Sequence, residues 1–382
     1  MKSAKKIATV VASAFISVCF IAGCGKTVEV ENGELMQDLN VRPAQTAAYE
    51  TYTKQALDEY FAVADKHADE FGDIDYENKE VADAAKPVAA KLFAYACYNE
   101  RTLDKYAYFS SQEGYTDISS GSATALKQEY FLRINESENT CGYKYQYSIK
   151  MVEKSDGLIS SFKGLFESAR TRIVVDTDVL YRLEGSNFRI GKESETFGVN
   201  MLECDWKTGS DWGITDNTRL VKGEFIEPDK IEDDIVGVAG EDNITMHANI
   251  NILAENIVKT ATIVRDVNEE NELEGYMVFM TIDTVVANKD EASLKMLRHA
   301  NGSDDCKWVN EGGESGLSII FRIWENGLFR MYSVSEKWQG KISGFSGTAD
   351  SSTVYNFTYS DRDCDMTQYL KMLEDAKAAK GE

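Results

Sequence analysis

The sequence predicts an α+β protein in which curved, strand-rich antiparallel sheets pack with an N-terminal helix pair and a C-terminal helix. Three observations carry this. Apolar residues recur at helical spacing between residues 46 and 98. After Arg101 the dominant pattern is alternation with period two, the mark of a sheet with one covered and one wet face. Near the end, Asn326-Gly327 separates two apolar runs, the composition of a tight hairpin. With 382 residues, 43% of them hydrophobic, the chain can bury a large core and divide into domains. The divisions read as a leader over 1–23, a tether over 24–45, a helix pair with a first sheet over 46–226, and a second sheet with the C-terminal helix over 227–382.

The first helix is expected from Thr46 to Phe71, with Tyr49, Tyr52, Ala56, Tyr60, Val63 or Ala64 and Phe71 on one core-facing stripe. Gly72 ends it. Asp73-Ile74-Asp75-Tyr76-Glu77 has the alternating acids of a calcium loop but lacks the glycine and terminal acid such a loop needs, so it reads as a turn. A second helix spans about Val81 to Tyr98, with Pro87 accommodated by a new first turn.

Strands follow. Leu126, Gln128, Tyr130, Leu132 and Ile134 alternate with Lys127, Glu129, Phe131, Arg133 and Asn135; Tyr143, Tyr145, Tyr147, Ile149 and Met151 alternate with four polar residues. The tyrosines read as sheet core, with sugar stacking as the other use of such rings. Further strands are expected at Arg170–Asp176, Asp178–Glu184, Phe188–Gly191, Thr196–Cys204 and Thr218–Ile226. Glu227–Asp234, with Pro228 and five acids, is the boundary between halves. Beyond it come alternation over 244–252, a hairpin of Ile257–Val267 with Tyr276–Ala287 around an acidic turn, and a helix capped by Asp290. The loop Gly302–Gly316, carrying Trp308, reads as a contact surface or a spacer.

In the terminal hairpin a type I′ turn at Asn326-Gly327 sets Glu325 opposite Leu328. One face then holds Ile319, Phe321, Ile323, Tyr332 and Val334, the other Ile320, Trp324, Phe329 and Met331, and the second face calls for a cover or an apolar ligand. Strands near Gly340–Phe345 and Thr353–Ser360 and a helix from Asp365 to about Lys380 complete the chain. Tyr181-Arg182-Leu183, a turn and Phe188-Arg189-Ile190 echo Phe321-Arg322-Ile323, a turn and Phe329-Arg330-Met331, which a duplicated unit would explain.

Composition narrows function. A formal charge of −23 repels phosphate backbones, so a nucleic-acid partner is disfavoured. Cysteine spacing gives neither a disulfide framework nor a C-x-x-C site. The histidines His67, His247 and His299 lie in no recognisable nucleophile elbow, phosphate loops are absent, and acid pairs for glycoside hydrolysis rest on chance among many acids. No catalytic residue, metal ligand or cofactor is assigned.

At the start, Lys2, Lys5 and Lys6 precede an apolar run over Ile7–Ala22, then Gly23 and Cys24. Sixteen residues rise only about 24 Å, short of a roughly 30 Å hydrocarbon core, so the run reads as a cleaved leader. Ile21-Ala22-Gly23-Cys24 resembles the lipobox of bacterial lipoproteins. The resemblance implies that Cys24 carries a diacylglycerol and holds the mature chain on a bacterial membrane, outside the cytoplasm, as the membrane partner of the fold. The long strands, the doubly apolar hairpin and the anchor loosely resemble the LolA-type lipoprotein carriers, which implies a non-catalytic module holding an apolar or amphiphilic ligand. A glycan- or protein-binding surface protein using Trp206, Trp212 and Trp308 is the alternative, with Trp324 and Phe329 as apolar contacts; an acid-pair hydrolase ranks last.

Overall fold

The computed structural model describes residues 41–103, 105–118, 121–137, 140–154, 167–175, 181–190, 195–196, 202–204, 212–214, 219–222, 250–301, 305–311, 314–342, 345–365, 367 and 378; between 121 and 222 the description is of backbone and strand register. In chain order come α1 (Glu50–Phe71), α2 (Lys79–Thr102), β1 (Lys105–Ile118), β2 (Gly121–Ser137), β3 (Thr140–Lys154), β4 (Glu167–Val175), β5 (Tyr181–Ile190), β6 (Glu195–Thr196), β7 (Leu202–Cys204), β8 (Trp212–Ile214) and β9 (Arg219–Lys222). There follow β10 (Val258–Val267), β11 (Leu273–Ile282), α3 (Thr284–Ala287), α4 (Glu291–Asn301), β12 (Lys307–Trp308), β13 (Asn310–Glu311), β14 (Glu314–Ser315), β15 (Leu317–Trp324), β16 (Phe329–Ile342) and β17 (Phe345–Thr358). The class is α+β with an N-terminal helix pair and antiparallel strands, as the sequence predicts. Among the described residues no helix is long and apolar enough to cross a membrane.

The chain divides into two compact units, whose bounds differ from the expected division. The first comprises the described residues of Met1–Pro43, Asp104–Ile231 and Ile342–Glu382; the second comprises those of Ala44–Leu103 and Glu232–Lys341. The boundary near residue 227 is close to the switch at Ile231. The helix pair, however, belongs with the second sheet, and β17 belongs with the first. Sequence adjacency suggests otherwise because helix stripes do not say which sheet they cover.

In the second unit the sheet order is β10-β11-β15-β16, with β12 beside β16. Its covered face, Ala261, Ile263, Val278, Met280, Ile319, Phe321, Ile323, Tyr332 and Val334, is buried, as are Leu57, Tyr60, Phe61, Ala64, Leu92, Phe93 and Cys97 of the helices. Phe93 is the centre of the packing, meeting Phe321, Phe329 and Tyr332 edge to face at 5.4, 5.5 and 6.0 Å. The α1 stripe runs through Thr53, Ala56, Leu57, Tyr60, Phe61 and Ala64, while Tyr52 and Phe71 of the expected stripe are exposed. Gly72, at φ +91°, closes α1 by donating to the Ala68 carbonyl. Pro87 lies inside an unbroken α2, which Asn78 caps by accepting from the Glu80 and Val81 amides.

The terminal hairpin departs from the expected turn. Gly327 has φ +83°, Asn326 does not share a positive φ, and the Gly327 amide donates to Trp324 O at 2.8 Å. The loop is therefore Glu325-Asn326-Gly327, a three-residue turn followed by a bulge, not a type I′ pair. Pairing runs Ile319↔Val334, Phe321↔Tyr332 and Arg322↔Met331, then shifts to Ile323↔Phe329. Arg330 is the extra residue, and it moves Phe329 from the expected second face onto the helix-covered one. The second face is then not doubly apolar: it takes Arg322, bidentate to Asp266 at 2.6–2.9 Å, and Arg330, which pairs with Glu274 at 2.8 Å and lies 4.6 Å over the Trp324 ring.

Asn99 joins helices and hairpin. Its side chain is fully buried; Oδ1 accepts from the Tyr49 amide at 2.7 Å, and Nδ2 donates to Gly327 O at 3.1 Å. Asn326 Nδ2 donates in turn to Gln45 O. A Cβ at Gly327 would stand 2.6 Å from Thr53 Oγ1.

Elsewhere, residues Thr284–Ala287, expected as strand, form a short helix because Asp283 caps the Val285 and Val286 amides. Asp290 caps α4 through the Ser293 amide, as expected. Tyr181–Ile190 is one strand without the expected turn, so the Tyr-Arg-Leu echo does not correspond to two matching hairpins. Most of the C-terminal helix lies outside the described residues, as do the segment 244–249 and His247.

Replacing Asn99 with alanine leaves a buried amide and carbonyl unsatisfied and is expected to cost about 2 kcal/mol in urea unfolding; Gly327→Ala, which strains both φ and the Thr53 contact, should cost at least as much. Arg265 donates twice to Asp65 at 2.7–2.9 Å and holds its carboxyl below the usual range, so the pair stabilises above the unfolded pKa and loses that contribution as pH falls through the lowered one. Asp65→Asn should therefore cost under about 1 kcal/mol at neutral pH, the side chains being half exposed, and the gap from wild type should close in acid melts.

Candidate binding face

The first unit's sheet is ordered β17-β1-β2-β3-β4-β5-β6, with β9 also beside β5, and every described pair in it is antiparallel. It is curved and unclosed. Its most informative feature is the register of β2 with β3. Ser137 is opposite Thr140, but the pairing then shifts, and Asn135 meets Cys141, Arg133 meets Tyr143, Phe131 meets Tyr145 and Glu129 meets Tyr147. Without that bulge the turn would set Leu132 against Tyr145 and Tyr130 against Tyr147, the match that alternation predicts. A one-residue shift exchanges the faces of a strand. Here it places Lys127, Glu129, Phe131 and Arg133, not Leu126, Tyr130 and Leu132, on the face of the three tyrosines.

Following the pairs across the sheet gives continuous rows. One reads Phe357, Tyr108, Phe131, Tyr145, Arg172, Glu184, Arg219. The next on either side read Tyr355, Ser110, Glu129, Tyr147, Arg170, Ser186 and Tyr106, Arg133, Tyr143, Val174, Arg182. Aromatic positions thus gather on β17, β1, β2 and β3, and arginine positions on β4, β5 and β9. Among the described residues the same face counts five arginines, Lys127 and Lys154 against Glu129, Glu184 and Glu195, while the opposite face takes Lys105, Lys144, Lys150, Lys222 and Arg189. Of the described arginine positions on β4, β5 and β9, Arg170, Arg172, Arg182 and Arg219 fall on this face and Arg189 on the other. Guanidinium is the planar, weakly hydrated cation that stacks on aromatic rings and grips carboxylates and phosphates with two parallel bonds. At the aromatic end, Tyr106 and Tyr108 are buried, and Tyr108 meets Tyr355 and Phe357 at 5.6 Å each.

The residues singled out from the sequence do not converge. Cys24 and Trp206 lie outside the described residues. Trp212 is in β8, opposite Cys204. Trp308 is buried, not a mobile contact: it pairs with Trp338 across β12 and β16, its indole N–H donates to Glu336, and Asn288 binds its amide and carbonyl. Trp324 and Phe329 are buried in the second unit and are not surface contacts. Phe279 and Ile320, opposite each other on the wet face of that unit, are 40% and 37% exposed, a patch two residues wide.

Among the described residues no group of three His, Cys, Asp or Glu could hold a metal ion. Asp73 and Asp75 accept from the nearby Ile74 and Glu77 amides. Cys97, Cys306 and Cys364 are buried and not in disulfides, and burial pushes the Cys364 thiol up to about 12, far from a reactive thiolate.

No protein-family model matches the chain, and no curated protein matches it. Among solved structures, a DUF1329 family protein from Desulfovibrio piger is similar over 74% of this chain and 98% of its own, at 9% identity and a TM-score of 0.17. A beta-barrel-like protein of the domain of unknown function DUF1849 from Brucella abortus is similar over 68% of this chain and 99% of its own, at 11% identity and a TM-score of 0.14. Similarities at these scores carry no weight for the fold or the function of this chain.

The register is directly testable. A Phe131→Cys/Tyr145→Cys pair, in a background with Cys141→Ser, should cross-link under mild oxidation, whereas Leu132→Cys/Tyr145→Cys should not; the reverse pattern would restore the unbulged register and dissolve the rows.

Proposed function

We propose that this protein is a surface-displayed, non-catalytic binding module, anchored through a lipidated Cys24, whose first-unit sheet holds an apolar or amphiphilic ligand. The observation that carries the reading is the gathering of Phe131, Tyr143, Tyr145 and Tyr147 at neighbouring positions on one sheet face, continuous with Tyr355 and with the buried Tyr106, Tyr108 and Phe357. Rings of this kind combine large apolar area with a polar tip, which suits a ligand with a hydrocarbon body. The anchor reading is supported by the lipobox-like Ile21-Ala22-Gly23-Cys24. Burial of Trp308 removes one of the three tryptophans on which a glycan-binding surface rested.

Native mass spectrometry of residues 26–382, purified from the host and compared with a denatured sample, tests the reading. A co-purifying lipid-sized adduct that is lost on denaturation is the expected result. A clean apo mass, together with failure to take up any added amphiphile, would overturn it.

A further inference from the structure

The proposed ligand face has two chemically different ends, and they name the ligand more narrowly. The rows run from aromatic positions on β17, β1, β2 and β3 to Arg170 and Arg172 on β4, Arg182 on β5 and Arg219 on β9. Glu184 stands between Arg172 and Arg219 in its row, and Glu129 stands beside Tyr147. With Glu195 opposite Ile190, three carboxylates meet seven cationic positions among the described residues of this face, in a chain whose net charge is −23. Four arginine positions gathered on adjacent strands of one face are not what solubility demands of an acidic protein; the lysines of the opposite face would serve that purpose. The β2–β3 register, which brings the aromatic positions of β17, β1 and β2 onto the face of these arginines, overrides the pattern match between β2 and β3, and such local inconsistencies concentrate at functional sites.

We infer that the face binds an amphiphile with an anionic head, a carboxylate or a phosphate, its head at the Arg170, Arg172, Arg182 and Arg219 positions and its apolar body along the Phe131, Tyr143, Tyr145 and Tyr147 positions. This rests on the amphiphile reading proposed above and adds the charge and polarity of its ligand. Arginine at each of these positions, and lysine at none of them, fits a head with two or more equivalent oxygens, which accept paired N–H donors.

The test uses the full chain in phosphatidylcholine nanodiscs, with empty nanodiscs as the blank. Four photoreactive twelve-carbon probes share one tail and differ in the head: carboxylate, phosphate, glycerol and trimethylammonium. The yield of cross-links to β2–β5 peptides is read by mass spectrometry. The anionic probes should label these peptides about ten-fold more than the glycerol probe, the size of one or two charge-assisted hydrogen bonds, and trimethylammonium least. Preference between carboxylate and phosphate identifies which head the site takes. Arg170→Ala/Arg172→Ala should remove the anionic preference, so that anionic and glycerol probes label that variant equally; should that variant not fold, Arg172→Gln alone carries the same expectation. Equal labelling by all heads, or an anionic preference that survives the arginine changes, overturns the inference while leaving the amphiphile reading intact. Absence of labelling of β2–β5 by every probe overturns the amphiphile reading itself.

Discussion

One extra residue between Asn135 and Ser137 decides which side chains share the principal face of the first sheet. Antiparallel strands alternate with period two, so a shift of one residue transfers a whole strand's set of side-chain positions to the opposite face. The bulge breaks the alignment of Leu126, Tyr130 and Leu132 with the tyrosines of β3 and brings Phe131 and Arg133 there in their place. All further pairing, from β3 to β4 and on to β5 and β9, inherits that choice, because each antiparallel pair preserves the face. The bulge thus decides that the aromatic positions of β17, β1 and β2 share a face with the β3 tyrosines, which the arginine positions of β4, β5 and β9 join through their own registers.

A comparable irregularity shapes the second unit. The bulge at Arg330 moves Phe329 under the helices, where it meets Phe93, and leaves Arg322 and Arg330 to form the ion-paired cluster with Asp266 and Glu274. The Glu325-Asn326-Gly327 turn is held by Asn99, so a polar group at zero exposure fixes both the start of α1 and the end of the hairpin. A buried carboxamide with donors and acceptors satisfied on both sides sets geometry more narrowly than apolar contact does. This explains why the helix pair sits on the second sheet although it precedes the first in sequence.

Much of the local structure is legible in the residues. Gly72 stops α1, Asp290 caps α4, the runs at 126–135 and 143–151 are strands, and Asn326-Gly327 marks the hairpin. These features depend on neighbours within a few positions, where backbone sterics and capping act. Thr284–Ala287 reads as strand in the sequence because its β-branched residues outweigh the cap at Asp283. Trp308 reads as a contact residue because glycines and acids around it suggest a loop, whereas Glu336 and Asn288, distant in sequence, hold it in place.

The sequence by itself determined the α+β class, the antiparallel character of the sheets, the helix ends and the acidic surface, since period, capping and composition are local quantities. Only the tertiary structure decided the rest: that Phe131 rather than Leu132 lies opposite Tyr145, that Arg172 extends the same row, and that α1 and α2 cover the second sheet. Register and layer assignment are relations between segments far apart in the chain. A bulge of one residue, invisible to alternation read one strand at a time, reverses them.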